Sequence, residues 1–234
     1  MKRPKMRGIQ SGLILFLLAA RLAAGETSTG TKPVLLLTGF EPFGGLKLNA
    51  SWETVKTFQG KEIAGHRIET ALLPVVYDEM AAPLQEAIAK HKPAAVISFG
   101  VGSRVIQVET VARNGYHRVK PPDNKNKPPP RSEIVPGASA EIPTALPASE
   151  ILAALKAANI GAASSTDAGG YLCNECFYRL MSVKEGPAIR GFVHVPDFGT
   201  PDTAGGVFDQ QKLIRALEVV IETTLKASVA RSNP

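Results

Sequence analysis

The chain has 234 residues, 44% hydrophobic and 21% charged, which suits one sizeable α/β domain and excludes a short disulfide-stapled scaffold. Its 27 Lys and Arg face 21 Asp and Glu, but Lys2, Arg3, Lys5, Arg7 and Arg21 sit in an N-terminal stretch without an acid. The remainder is close to neutral, so the basic balance gives no reason to expect a nucleic-acid partner.

Residues 1–25 read as a secretory signal. A basic start (Lys2 to Arg7) leads into the apolar run Leu13-Ile14-Leu15-Phe16-Leu17-Leu18-Ala19-Ala20, and small residues follow at Ala23, Ala24 and Gly25. The run is short of the roughly 20 residues that span a bilayer, so cleavage and export (periplasmic or secreted) are expected, with an uncleaved anchor as the alternative. After signal removal no membrane association is expected. Residues 26–32 are small and polar, a linker, and residues 33–234 read as a single domain.

Strands and helices then alternate. Pro33–Thr38 is a buried-strand pattern, Ala50–Phe58 a helix, Arg67–Val75 a strand, and Tyr77–His91 a helix with Met80, Leu84, Ala87 and Ile88 on one face. Ala94–Phe99 reads as a third strand closed by Gly100, and Arg104–Ala112 as a fourth. Prolines from Pro121 to Pro147 exclude a regular helix across residues 115–147, a loop long enough to be functional. A helix is expected over Ala148–Ala158, a strand over Ile160–Thr166 and a helix over Tyr171–Val183. A strand over Ile189–Val195 and a terminal helix over Val207–Ser228 complete the pattern. The alternation predicts a three-layer α/β/α sandwich around a mixed, mostly parallel sheet.

Chemistry concentrates in Ala168-Gly169-Gly170-Tyr171-Leu172-Cys173-Asn174-Glu175-Cys176. Two glycines precede a helical pattern, which puts Cys173 in a first helical turn. The helix dipole and unpaired N–H groups there favour a thiolate and could hold an oxyanion. Cys173 could equally be a small buried apolar residue. A cysteine nucleophile needs a base. His66 and His91 sit at element ends, and His117 lies on the Pro-rich loop. His194, in Gly191-Phe192-Val193-His194-Val195-Pro196, ends an apolar strand, where it is either a core histidine or well placed for catalysis. Glu109 is an acid in an apolar stretch, a candidate to orient the imidazole or a salt-bridge partner of Arg104 or Arg113. Cys173 and Cys176 also form a Cys-x-x-Cys at a helix start, the arrangement of a thiol–disulfide redox protein.

Four motifs together resemble the pyroglutamyl peptidase type I (pyrrolidone-carboxylate peptidase) family of cysteine peptidases. They are Gly39-Phe40-Glu41-Pro42-Phe43-Gly44-Gly45 with Asn49, Glu109 to Asn114, Tyr171 to Tyr178, and Gly191 to Pro196. They occur in the family's order over roughly residues 34–225. The resemblance implies a phosphorylase/hydrolase-like sandwich and an enzyme that removes N-terminal pyroglutamate from peptides. Cys173 would be the nucleophile, His194 the base and then acid, and Glu109 the orienting acid. It further implies substrate binding by Phe40, Phe43, Asn49 and a loop arginine, Arg118, whose place Lys120 could take. No metal or cofactor is implied, and the resemblance implies a possible partner in a homo-oligomer of the chain. Leu72 stands where the family often has a polar residue, which implies altered ring recognition. The stretch before Glu109 is shorter than the family pattern and the one after Asn114 longer; the departures near Arg118 leave a catalytically silent pyroglutamyl-peptide binder open beside the redox reading. A Cys173–Cys176 disulfide would silence the nucleophile; an inert, buried Cys176 is the expected outcome.

Overall fold

The structure is a computed structural model that describes Met1 and residues 32–117 and 122–232. The expected signal segment and nearly all of the linker lie outside these residues.

The central strands are mostly apolar runs buried on both faces, and the one nearer the sheet edge keeps exposed residues such as Arg67 and Leu72. Val34–Phe40 (β1), His66–Leu73 (β3), Ala95–Ser103 (β4) and Ile189–Pro196 (β9) pair in parallel, in the order β3-β1-β4-β9. The two-residue strand Glu62–Ile63 (β2) lies antiparallel on the β3 edge. Beyond β9, Ile106–Glu109 (β5) runs antiparallel to it, and Ala162–Ser165 (β8) closes that edge parallel to β5. Among the described residues this makes a mixed seven-stranded sheet. Val111–Arg113 (β6) and Glu141–Pro143 (β7) form a separate small ribbon.

Alternation along the strands assigns each face its helices. Leu35, Leu37, Ile97, Phe99, Ile106, Val108, Val193 and Val195 pack against Ala50–Val55 (α1), Ala148–Ala157 (α3) and Gln210–Ser232 (α5). Leu36, Phe40, Val96 and Phe192 pack on the other face against Ala81–His91 (α2) and Leu172–Met181 (α4). Each fully buried Leu, Ile or Phe contributes about 1.5–3 kcal/mol, so these two layers dominate the stability. The observed architecture is the expected α/β/α sandwich.

Three local readings are corrected. The helix expected from Tyr77 starts at Ala81, because the Tyr77 amide is taken by the Asp123 carboxylate at 3.1 Å instead of opening a helix. The strand expected to stop at Gly100 runs on to Ser103, with a register shift against β9 between Val101 and Ser103. The strand expected over Arg104–Ala112 breaks at Thr110 into β5 and β6, which belong to different sheets.

The Pro-rich loop is held by its side chains. Asp123 accepts the amides of Tyr77, Lys125 and Lys127, and Asn124 donates to Glu41 Oε1 and the Pro42 carbonyl at 2.9 and 2.8 Å. Behind α4, Arg131 and Arg179 both bond Asp78, and Arg179 also bonds Glu175 at 2.7 Å. Hydrogen bonds from Arg131 hold the Asp78 carboxyl below its usual range despite partial burial. One carboxylate thereby ties the loop to the turn before α2 and to the helix that carries Cys173.

Candidate active site

The sequence around Cys173 makes an open helix start. Gly169 has φ +68°, a left-handed turn that favours glycine, and Tyr171 takes the N-cap position in extended conformation. Tyr171 supplies no capping hydrogen bond, and the first intrahelical bond runs from the Glu175 amide to the Tyr171 carbonyl. The amides of the first turn are therefore not spent on helix hydrogen bonds. Asn174 fastens this turn. Its side chain accepts from the Arg113 amide and donates to the Arg113 and Gly115 carbonyls at 2.8 and 2.9 Å.

The sheet beneath is cut away to receive the reactive atoms. A Cβ at Gly100 would lie 2.8 Å from the Cys173 sulfur, and one at Gly102 would lie 2.7 Å from His194 Nε2. Both glycines are on β4, directly under the site, and the strand continues through them because close approach, not chain termination, is their use.

His194 stands on β9 in register with Gly100 on one side and Gln107 on the other. It is 5% exposed. Its Nδ1 donates to Glu109 Oε1 at 2.7 Å, and its ring also interacts with the Cys173 side chain. Glu109 is fully buried and takes this role, whereas Arg113 pairs with Glu141. Burial pulls the imidazole pKa down, but the Cys173 sulfur and the Glu109 carboxylate outweigh it and raise it to about 9. At neutral pH the ring is thus an imidazolium beside sulfur, the state an ion-paired thiolate requires.

A cavity of about 260 Å³ opens beside this line, lined by Phe40, Phe43, Asn49, Val75, Tyr171 and Leu172 as well as Cys173 and His194. It is smaller than the usual ~300–1,000 Å³ of small-molecule sites, fitting a compact group. The rings are fixed by one another: Phe40 leans on Phe192 and Phe43 on Tyr171, each with centroids 6.4 Å apart.

The expected residues separate by position. Cys173, His194 and Glu109 form one connected line, and Phe40 and Phe43 face the cavity beside it. Asn49 lines the cavity too, but its amide is engaged as the cap of α1: Oδ1 accepts from the Ser51 amide and hydroxyl, and Nδ2 donates to the Glu41 carbonyl at 3.0 Å. Arg118, and Lys120 with it, lie outside the described residues. Leu72 is 43% exposed and is not part of the cavity wall, so its bearing on ring recognition is corrected. His117 is tied by its amide to the Gly170 carbonyl, and its ring lies 3.9 Å from Asp167. Cys176 is fully buried, with its sulfur 3.6 Å from the Ser98 hydroxyl, and burial pushes its thiol up to about 12. Neither cysteine is in a disulfide, and so high a pKa at Cys176 is the wrong poise for a redox partner.

Sequence reasoning missed Gln107 and Asp167 on the cavity wall. Gln107 was open to detection, since strand alternation puts it on the same face as Glu109 two residues on. Asp167 carried no signal of its own.

Known proteins share this sequence pattern and fold. The sequence model of the pyroglutamyl peptidase family matches residues 33–227. The chain belongs to the pyroglutamyl peptidase family. The pyrrolidone-carboxylate peptidase of Gloeobacter violaceus is 39% identical over 166 residues, 69% of this chain and 80% of that protein. Pyrrolidone-carboxylate peptidase 2 of Photorhabdus laumondii is 37% identical over 216 residues, 87% of this chain and 96% of that protein. The crystal structure of pyroglutamyl peptidase I from Bacillus amyloliquefaciens matches with a TM-score of 0.76 and 34% identity, over 83% of this chain and 96% of that one. Family membership makes the chain a cysteine exopeptidase of the pyroglutamyl peptidase type.

Proposed function

We propose that the chain removes an N-terminal pyroglutamyl residue from peptides, with Cys173 as nucleophile, His194 as proton carrier and Glu109 as the group that orients and charges the imidazole. The observation that carries this reading is the Cys173–His194–Glu109 line, its histidine and acid buried, opening onto the Phe40/Phe43 cavity. The lactam ring is flat, weakly polar and lacks a charged amine, so an aromatic slot accepts it without an acidic partner. Asn49 acts by holding the Glu41 loop and the start of α1 against that slot.

In the first half of the reaction the Cys173 thiolate attacks the pyroglutamyl carbonyl. The oxygen takes the negative charge and is met by first-turn amides of α4. The C–N bond then breaks as the His194 imidazolium gives its proton to the departing amine, leaving a thioester and a neutral ring. In the second half His194 takes a proton from water, the hydroxide attacks the thioester, and the thiolate–imidazolium pair re-forms as pyroglutamate leaves. Glu109 fixes Nδ1–H throughout, which leaves Nε2 for every transfer.

The test is hydrolysis of pyroglutamyl-coumarin amide by the purified chain. Release of coumarin by the wild type and none by Cys173→Ala supports the reading; a wild type that binds the compound without turnover makes the chain a silent binder. We further propose that residues 1–25 direct export and that residues 33–234 work alone as the peptidase domain, outside the cytoplasm. N-terminal sequencing of the protein from fractionated cells tests this, and an intact Met1 in the cytoplasmic fraction overturns it.

A further inference from the structure

Granted the peptidase chemistry of Cys173, we infer that Gln107 is a specificity-determining residue for the leaving side of the substrate, its carboxamide holding the first peptide group beyond the scissile bond. The cavity is divided by strand order. The aromatic and aliphatic wall, Phe40 and Val75, comes from the end of β1 and the segment just after β3. Cys173 stands over Gly100 on β4, and His194 follows on β9. Gln107 comes one strand further, on β5, in register with His194 and on the far side from the aromatic wall.

The chemistry requires that direction. The acyl group and the departing amine are bonded to the same carbonyl carbon and point apart. With the ring against Phe40, the amine lies toward His194, which must protonate it. The peptide that follows the amine then runs over β5.

The polar inventory of the wall points to the same residue. Asn49 is spent on the α1 cap, Tyr171 donates to the Pro122 carbonyl at 3.0 Å, and Asp167 accepts from the Gly169 amide at 2.9 Å. Cys173 and His194 are the reacting pair. Gln107 is half-buried and its carboxamide makes no hydrogen bond among the described residues. A primary amide offers both a donor and an acceptor, which matches the C=O and N–H of the first peptide group beyond the scissile bond, a group that a coumarin amide lacks. Such recognition is indifferent to the side chain at that position, as suits an enzyme whose specificity lies in the ring.

The experiment compares two substrates, pyroglutamyl-alanyl-alanine amide and pyroglutamyl-coumarin amide, with wild type and Gln107→Leu. Leucine keeps most of the volume and removes both hydrogen bonds. The ratio of kcat/KM for peptide over coumarin amide is expected to fall about five- to tenfold, the size of a lost neutral hydrogen-bond pair. Equal losses on both substrates, with a shifted pH profile, would mean that Gln107 merely supports His194, and they overturn the assignment. An unchanged ratio overturns it as well, while wild-type turnover of both substrates leaves the peptidase reading intact. A wild type that cleaves neither substrate removes both proposals together. Should Gln107→Leu lose its cooperative unfolding transition, Gln107→Glu, which keeps size and polarity but cannot donate, carries the same comparison of ratios.

Discussion

Cys173 and Cys176 stand one helical turn apart on α4 and have opposite chemistry. Cys173 faces the cavity, beside an imidazolium and over the open first turn of the helix. Cys176 faces the sheet, fully buried, against Ser98, whose hydroxyl in turn accepts from Thr38 at 2.9 Å. The residue type is the same and so is the helix. What differs is the neighbour on the strand below: glycine at position 100 leaves room for a reactive sulfur and its substrate, whereas serine at 98 fills the space and partners an inert thiol. Reactivity here is a property of the packing around a sulfur more than of the sulfur's place in a motif.

The sharpest way to break this comparison is to remove each part of the reactive side. Cys173→Ala should lower kcat/KM on a pyroglutamyl reporter by about 10⁵-fold or more, and His194→Ala should come within roughly tenfold of it, because the pair acts as a unit. Steady-state kinetics with the unfolding midpoint as a control measures both; a His194→Ala variant with more than a tenth of wild-type activity would remove the ion-pair mechanism.

Glu109→Gln should cost less, about 10²-fold, since geometry is kept and the charge is lost. Its second effect is on pH. The His194 pKa is raised from 6.5 to about 9 by Cys173 and Glu109 against the pull of burial. The folded state therefore holds this proton more tightly than the unfolded chain does. The stability it contributes is fully present below 6.5 and lost as pH rises through about 9. Wild-type kcat/KM should fall on the alkaline side with an apparent pKa near 9. In Glu109→Gln that limb should move to lower pH; a limb that stays in place would show that the carboxylate does not charge the ring.

Gly100→Ala probes the floor. Its methyl would press on the Cys173 sulfur and on Phe192, both at 2.8 Å. Activity should drop about tenfold or more, the scale of displacing a reacting atom by a fraction of an ångström, while the chain still folds. An alanine variant with wild-type kinetics would mean that the sulfur has more freedom than the packing allows.

Much of this was legible in the sequence wherever one physical signal acted alone. The buried runs at Val34–Phe40 and Ile189–Pro196 could be nothing but strands, and the paired glycines before Tyr171 announced the start of α4. The errors fall where a residue serves two masters. Gly100 looks like a strand end and is a strand interior made bare for Cys173. Tyr77 looks like the opening of a helix, yet its amide belongs to Asp123, 46 residues away. No local pattern encodes a long-range partner. Gln107 is legible by alternation, two residues before Glu109 on the same face of β5, whereas Asp167 has no pattern to announce it.

The mildest perturbation is the most telling for the contrast between the sulfurs. Cys176→Ser replaces one small donor by another beside Ser98, so kcat/KM should stay within about twofold of wild type, with and without reductant. The sulfur count provides the independent check. In the native chain a water-soluble disulfide reagent should titrate one thiol, and after unfolding two, because Cys176 is fully buried and its thiol is pushed up to about 12. A Cys173→Ala variant should titrate none until it unfolds. If two thiols react in the native wild type, or if reductant restores activity that Cys176→Ser never loses, the second cysteine is accessible and can couple to the first. The inert role assigned to it would then give way to a thiol switch within a single helical turn.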